Sequence, residues 1–241
     1  MIARAPIVAV TLRGLLDRKR FWLMVALAAV PVLLMAMAVA FSDQPVEPED
    51  FDTAVISLVL PLIALVFGTS AIGSELDEGT IVYLLTKPVR RLRIVLAKVL
   101  VAAALTAALV VPATLLTGLV ATLGGSDVLA AGAAYALATA LGGTAYVVIF
   151  LAVSTFTRWA LAVGLVYVLL WEGILADLLP GTGQFSVRQA TLGVARELAD
   201  EPIPSGAIGL EQGLISLAIF IIGGIAIATW RMSRYQVRGG D

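Results

Sequence analysis

Residues 128–157 read VLAAGAAYALATALGGTAYVVIFLAVSTFT and contain no Asp, Glu, Lys or Arg. A membrane hydrocarbon layer about 30 Å thick is crossed by about 20 apolar residues, because an α-helix rises about 1.5 Å per residue. This run exceeds that length. It therefore predicts a transmembrane helix and makes the whole chain a candidate membrane protein.

Five further runs of comparable length occur along the chain. Four of them also lack charged residues, and they cover residues 21–41, 53–74, 99–126 and 213–230. The remaining run, Trp159 to Leu179, is interrupted by Glu172 and has Asp177 near its end. The sequence therefore predicts an all-α integral membrane protein with six transmembrane helices, organised as a single domain over residues 1–241.

The composition agrees with a membrane protein and excludes several chemistries. Hydrophobic residues make up 60% of the chain and charged residues 14%, whereas about a quarter of the residues in a soluble domain are charged. The absence of Cys and His excludes disulfides, thiol nucleophiles, imidazole bases and imidazole-held metals. A net charge of −1 argues against a nucleic-acid partner. Carboxylates alone could still bind a metal, but we predict no catalytic residue, metal site or cofactor in this chain.

The distribution of charge predicts the orientation. Lys and Arg residues beside transmembrane helices tend to remain on the cytoplasmic side. With the N-terminus in the cytoplasm, all of the 16 basic residues except Arg188 and Arg196 lie on that side. The external segments are acidic, so both termini are predicted to be cytoplasmic.

Two segments outside the spans have the pattern of amphipathic helices. Ile7 to Arg20 places apolar residues on one side and charged residues on another, which is typical of a helix in the membrane interface or of a basic anchor for the first span. In the external segment 180–212, apolar residues recur every three or four positions between Val187 and Leu198. This spacing predicts a second amphipathic helix, packed on the outer ends of the spans.

The cytoplasmic link formed by residues 74–93 is more elaborate than a plain turn. It begins SELDEGTIVYLLTKPVRR, in which Ser74 can cap a helix with an acidic first turn and Pro88 ends that helix. A basic cluster follows where the chain returns to the membrane: Lys87, Arg90, Arg91 and Arg93. Lys98, one turn inside the next span, is expected to snorkel to the interface or to pair with Glu75. The pattern predicts a short helix with the character of a docking surface.

From Glu75 to Leu100 the chain carries Glu-x-x-x-Gly-Thr, then Leu-Leu-Thr-Lys-Pro-Val-Arg-Arg, then Ile-Val-Leu-Ala-Lys-Val-Leu. These motifs resemble the first cytoplasmic loop of ABC-2 type transporter permeases. In that family the loop holds a coupling helix that contacts a separate ATP-binding subunit, and residues 1–20 resemble the family's elbow helix. The external segment resembles the family's extracytoplasmic re-entrant or lid region. The resemblance implies coupling contacts by Glu75, Leu76, Asp77, Glu78, Gly79, Thr80, Tyr83 and Leu84.

The resemblance also implies the membrane subunit of an exporter, with ATP and Mg²⁺ bound on a partner subunit. A phosphate-binding loop needs Gly-Lys-Ser/Thr, and none of the three lysines, Lys19, Lys87 and Lys98, follows a glycine. The implied assembly has two permease chains, as a homodimer or a related heterodimer, and two ATPase subunits. We expect the chain to be a multi-pass protein of a prokaryotic plasma membrane, in contact with lipid.

Glu172 is the only carboxylate well inside a predicted span, about 16 Å beyond Leu161 at the rise of an α-helix. An ionised residue there costs roughly 3 kcal/mol on insertion, so it normally faces the protein interior and has a partner. The expected partners are hydroxyl groups, such as those of Tyr167, Ser216 or threonines, or water; otherwise the carboxyl group keeps a proton of its own. The residue is either a substrate contact or conformational latch, or a hydrogen-bonded packing residue.

Two other functional classes are compatible with these residues. A proton- or ion-coupled secondary carrier would work through Glu172, although such carriers usually contain several intramembrane ionisable groups. An intramembrane enzyme would need an activated serine, and neither Ser74 nor Ser154 has a base beside it in sequence.

Overall fold

A computed structural model of the protein describes residues 18–41, 52–77, 90–178, 182–201 and 207–234. Within these ranges all regular structure is helical, which confirms the all-α prediction. The helices in chain order are α1 (Arg18–Phe41), α2 (Asp52–Val59 continued by Leu60–Asp77), α3 (Arg91–Leu123), α4 (Leu129–Ser154), α5 (Ala160–Val166, Tyr167–Leu175 and Ala176–Leu178), α6 (Val187–Leu198) and α7 (Leu210–Ser233). A short 3₁₀ turn, Gly183–Phe185, precedes α6. The predicted elbow segment before Arg18 lies outside the described residues.

Five of these helices are long and apolar enough to cross a membrane: α1, α2, α3, α4 and α7. The sixth predicted span corresponds to α5, whose central segment Tyr167–Leu175 has wide π-helical turns. A segment of the same kind, Asp52–Val59, begins α2. Wide turns of this type are rare and frequently occur at functional sites. The two segments therefore mark a candidate functional region.

Helix α4 forms the centre of the bundle and packs against α2, α3, α6 and α7. Its many small residues allow neighbouring backbones to approach closely, which is how helices associate in a membrane, where burial of apolar surface gives no driving force. Gly68 of α2 shows this effect, because a Cβ atom on it would lie 2.8 Å from the carbonyl oxygen of Val147 in α4. Helix α1 lies at the periphery, mainly against α3.

Helix α6 confirms the predicted amphipathic helix but not its predicted depth. Its apolar face is buried, including Val187, Ala190 and Val194. Thr191 packs against Gly142, near the middle of α4, so closely that any side chain at Gly142 would overlap it. The helix therefore does not rest on the outer ends of the spans. An amphipathic period shows that one face is covered, but it does not show which part of the molecule covers it.

The two ends of α6 lie beside different helices of the bundle. Glu201, just after α6, accepts a hydrogen bond from the Tyr135 hydroxyl near the start of α4, at 3.1 Å. The start of α6 lies beside the central segment of α5, because Trp171 Nε1 donates to the Phe185 carbonyl oxygen at 3.1 Å. After α5 the chain thus returns at Phe185 to the level of Trp171 in the middle of that helix. From there α6 runs along α4 toward Tyr135, near the start of α4.

Candidate functional site

The Glu172 side chain is held by four hydrogen bonds in the interior of the bundle. It lies in the wide segment of α5 and is only 1% exposed. Its carboxylate accepts from the Tyr167 hydroxyl at 2.7 Å and from the Ser186 hydroxyl at 2.5 Å. It also accepts from the backbone N–H groups of Val187 at 3.0 Å and Arg188 at 3.3 Å. The carboxylate of α5 therefore binds the first turn of α6.

These contacts make Glu172 a cap for α6, supplied from another helix. The first N–H groups of a helix have no partner within it, and lipid offers none. Ser186 is the N-cap residue and accepts from the Gln189 N–H at 3.0 Å, while Glu172 accepts from the two preceding N–H groups. A negative group at this end also interacts favourably with the helix dipole. Together the two side chains allow α6 to begin inside the bundle.

The sequence-based expectation for Glu172 is confirmed in part. Its burial and the Tyr167 partner agree with it, whereas Ser216 is not among the groups that bind the carboxylate. Ser186 and the backbone donors were missed. Ser186 carries a detectable signal, because a serine directly before an apolar-periodic segment is typical of an N-cap. Backbone donors carry no such signal.

Arg188 links the same end of α6 to α2. Its Nε donates to the Ser57 hydroxyl at 2.8 Å, and Ser57 belongs to the wide segment that begins α2. Sequence reasoning placed Arg188 in the external segment, within the predicted amphipathic helix, and the structure places it half-buried in the first turn of α6. We call the five residues Ser57, Tyr167, Glu172, Ser186 and Arg188 the cap cluster. It joins α2, α5 and α6 at one point.

Tyr146 of α4 lies beside the cap cluster. Its ring stacks on Phe150 with centroids 5.8 Å apart, and Phe150 meets Tyr167 edge-on at 6.2 Å. The Tyr146 hydroxyl is fully buried and interacts with the Glu172 carboxylate. The cluster is suited to holding α2, α5 and α6 together, because its hydrogen bonds connect all three helices.

At the opposite end of α2, a buried lysine joins α2 to α3. Lys98 is 1% exposed, and its Nζ donates to the Ala71 carbonyl oxygen at 2.5 Å. The expectation that this side chain snorkels to the interface is therefore wrong. The carbonyl oxygens near the end of α2 offer the ammonium group a partner inside the protein, which makes reaching the interface unnecessary. The contact lies a few residues from either end of the link 74–93.

The link itself is described only at its two ends. Helix α2 continues without interruption to Asp77, so the expectation that Ser74 caps a separate helix is wrong. Residues 74–77 contain no Pro, and Glu75 and Leu76 are good helix formers that extend α2. Arg90 directly precedes α3, and Arg91 and Arg93 lie in its first turn.

Most of the predicted coupling residues lie outside the described part of the chain. The side chains of Glu75, Leu76 and Asp77 are not among those described, and Glu78, Gly79, Thr80, Tyr83, Leu84 and Lys87 lie outside the described residues. A coupling helix in the link therefore stays a prediction, and so does the pairing of Lys98 with Glu75.

The chain is similar to one known family of membrane proteins. Residues 7–198 match the model of a family described as ABC-2 family transporter protein, and the match covers about four fifths of the chain. A comparison with curated protein sequences finds no match. The matched region contains the cap cluster, the Lys98 contact and the whole of the link 74–93.

Proposed function

The chain belongs to the ABC-2 transporter family, and from this membership we propose that it is the permease subunit of an ATP-driven exporter. The family match is the observation that carries the proposal. The sequence has no Gly-Lys-Ser/Thr phosphate-binding loop, so ATP and Mg²⁺ would bind on a separate ATPase subunit. Two permease copies, identical or related, and two ATPase subunits would form the transporter in a prokaryotic plasma membrane.

The proposed topology has six spans with both ends in the cytoplasm. Helices α1, α2, α3, α4 and α7 provide five spans of sufficient length. Helix α5 would be the sixth, with α6 as a re-entrant element beside it. The basic residues at the inner ends of these helices support this orientation. Arg188, one of the two basic residues on the external side, is no exception to the charge rule, because its side chain lies within the bundle.

Helix α2 is suited to carry motion from the cytoplasm to the re-entrant segment. Its inner end continues into the link 74–93 and is bonded to α3 through Lys98. Its outer end is bonded through Ser57 to Arg188 of α6. A displacement of the link by the ATPase would therefore move α2 and α3 together and would act on α6 at the cap cluster. Packed side chains and hydrogen bonds carry such coupling when they have two discrete arrangements.

The test reverses charge in the link. Glu75→Lys and Glu78→Lys are expected to abolish co-purification of the ATPase subunit and permease-stimulated ATP hydrolysis, because each replaces an acidic contact with a basic one. The matched control is Glu211→Lys, which makes the same change at an exposed position at the start of α7. All three variants should insert in the membrane normally. Wild-type stimulation by both link variants would contradict the proposed role of the link.

The secondary-carrier alternative is tested at Glu172. The cap cluster gives this carboxylate a structural role that requires no proton movement. A carrier that depends on it would lose proton-driven transport in Glu172→Gln and would work without ATP. The exporter would still require ATP.

A further inference from the structure

An apolar groove runs between α4 and α7 on the surface of the bundle. It has a volume of about 380 Å³, and every residue that lines it is apolar. Ile149, Val153 and Phe156 form the wall on the side of α4, and Ile219, Gly223 and Ile227 form the wall on α7. The groove extends toward the ends of α4 and α7 that we assign to the cytoplasmic side.

Two adjacent glycines of α7 have different surroundings, and this difference shows how the groove arises. A Cβ atom on Gly224 would overlap the Val148 side chain of α4, so this glycine is required for helix packing. A Cβ atom on Gly223 would meet no other atom within 4 Å. The groove is therefore open space beside the contact between α4 and α7, and a larger side chain at position 223 would fill it.

An arginine lies at the inner end of the groove. Arg231 follows Ile227 by one helical turn, and its guanidinium carbon lies 5.1 Å from the centre of the Phe156 ring. Its Nε atom is buried and has no hydrogen-bond partner among the described residues. The groove thus ends at a cation whose donors are not fully used by the protein.

Two more arginines lie near the same end of the bundle. Arg234 lies over the Trp230 ring at 4.3 Å, and Arg158 lies over the Trp159 ring at 5.6 Å. In the part of the chain that the structure describes, neither has a carboxylate partner. Tryptophan and arginine at the end of a span are typical of the membrane interface, where lipid headgroups lie.

We propose that this groove is a binding site for an anionic phospholipid. One acyl chain occupies the groove, and the phosphate is bound by Arg231 with Arg158 and Arg234 beside it. Basic pockets between transmembrane helices on the cytoplasmic side bind acidic headgroups in this way. The assignment to the inner leaflet rests on the proposed orientation, whereas the chemistry of the ligand does not.

The charges favour a lipid over a second copy of the chain in this groove. A second copy related by a twofold axis along the membrane normal would bring the same arginines toward each other. Like charges brought close together repel, and among the described residues Arg158 and Arg234 have no carboxylate partner that would offset this repulsion. A phospholipid supplies both the apolar chain and the negative charge that this site lacks.

The test measures lipid binding to the purified full-length chain by native mass spectrometry. The delipidated chain is titrated with dioleoylphosphatidylglycerol, with dioleoylphosphatidylcholine, and with inorganic phosphate. We expect one phosphatidylglycerol to bind at least roughly tenfold more tightly than phosphatidylcholine, and inorganic phosphate not to compete. Equal binding of the two lipids would overturn the proposal, and competition by phosphate would identify a free-anion site instead.

Two variants and one control separate the groove from the charge. Gly223→Leu is expected to abolish specific binding by filling the groove, and it should fold because leucine favours a helix more than glycine does. Arg231→Gln should weaken phosphatidylglycerol binding roughly tenfold. The control, Arg196→Gln at the far end of α6, should bind normally. Unchanged lipid binding in Gly223→Leu, or loss of a dimer instead of a lipid, would refute the assignment.

Discussion

Replacing Glu172 by alanine tests whether this residue caps α6. The change leaves four donors without their acceptor. The Tyr167 and Ser186 hydroxyls can rotate, but the backbone N–H groups of Val187 and Arg188 cannot. A buried donor that loses its partner costs about 1–3 kcal/mol. The two N–H groups therefore set the expected loss in the local stability of α6 at about 2–6 kcal/mol.

Amide hydrogen exchange measures this loss directly, because exchange of a buried helix reports its free energy of opening. A loss of about 2 kcal/mol corresponds to roughly thirtyfold faster exchange, so peptides covering residues 187–198 should lose at least that much protection. Glu172→Gln retains one acceptor oxygen and should show a smaller effect. The control is Glu211→Ala, which removes an exposed glutamate from the first turn of α7.

The result that would refute the capping role is equally specific. If α6 in Glu172→Ala exchanges as slowly as in the wild-type protein, the four hydrogen bonds do not hold the helix in place. Faster exchange throughout the protein, with no excess over residues 187–198, would show a general loss of stability and would also contradict the argument.

Two further predictions concern the contact between α4 and α6 and the contact between α2 and α3. Gly142→Ala should destabilise the protein by about 1–3 kcal/mol, because the added methyl group overlaps Thr191 and a packed core resists insertion. Adding Thr191→Ala to the same chain should recover most of this loss, as measured by thermal unfolding in a double-mutant cycle. Strictly additive effects of the two substitutions would show that the two residues do not touch. Lys98→Met should preserve membrane insertion but lower permease-stimulated ATP hydrolysis, because it removes the bond to Ala71 that ties α2 to α3. Full stimulation in this variant would remove that bond from the coupling path.

Part of the functional interpretation followed from sequence because it depends on local chemistry. The absence of a Gly-Lys-Ser/Thr loop excludes a known phosphate-binding arrangement whatever the fold. The motifs between Glu75 and Leu100 pointed to the ABC-2 family, which the match over residues 7–198 confirms. The burial of Glu172 was also expected, because a carboxylate in a lipid-exposed position would be costly.

The sequence by itself determined which segments form apolar helices, because the free energy of placing a segment in lipid is close to a sum over its own residues. It could not place α6, since a period of three to four residues reveals a buried face without identifying what covers it. Only the tertiary structure brought Arg188 to Ser57, 131 residues away in sequence, and the first N–H groups of α6 to Glu172. Those contacts depend on the packing of several helices and on backbone donors that every residue except proline possesses. No local pattern of side chains can encode them.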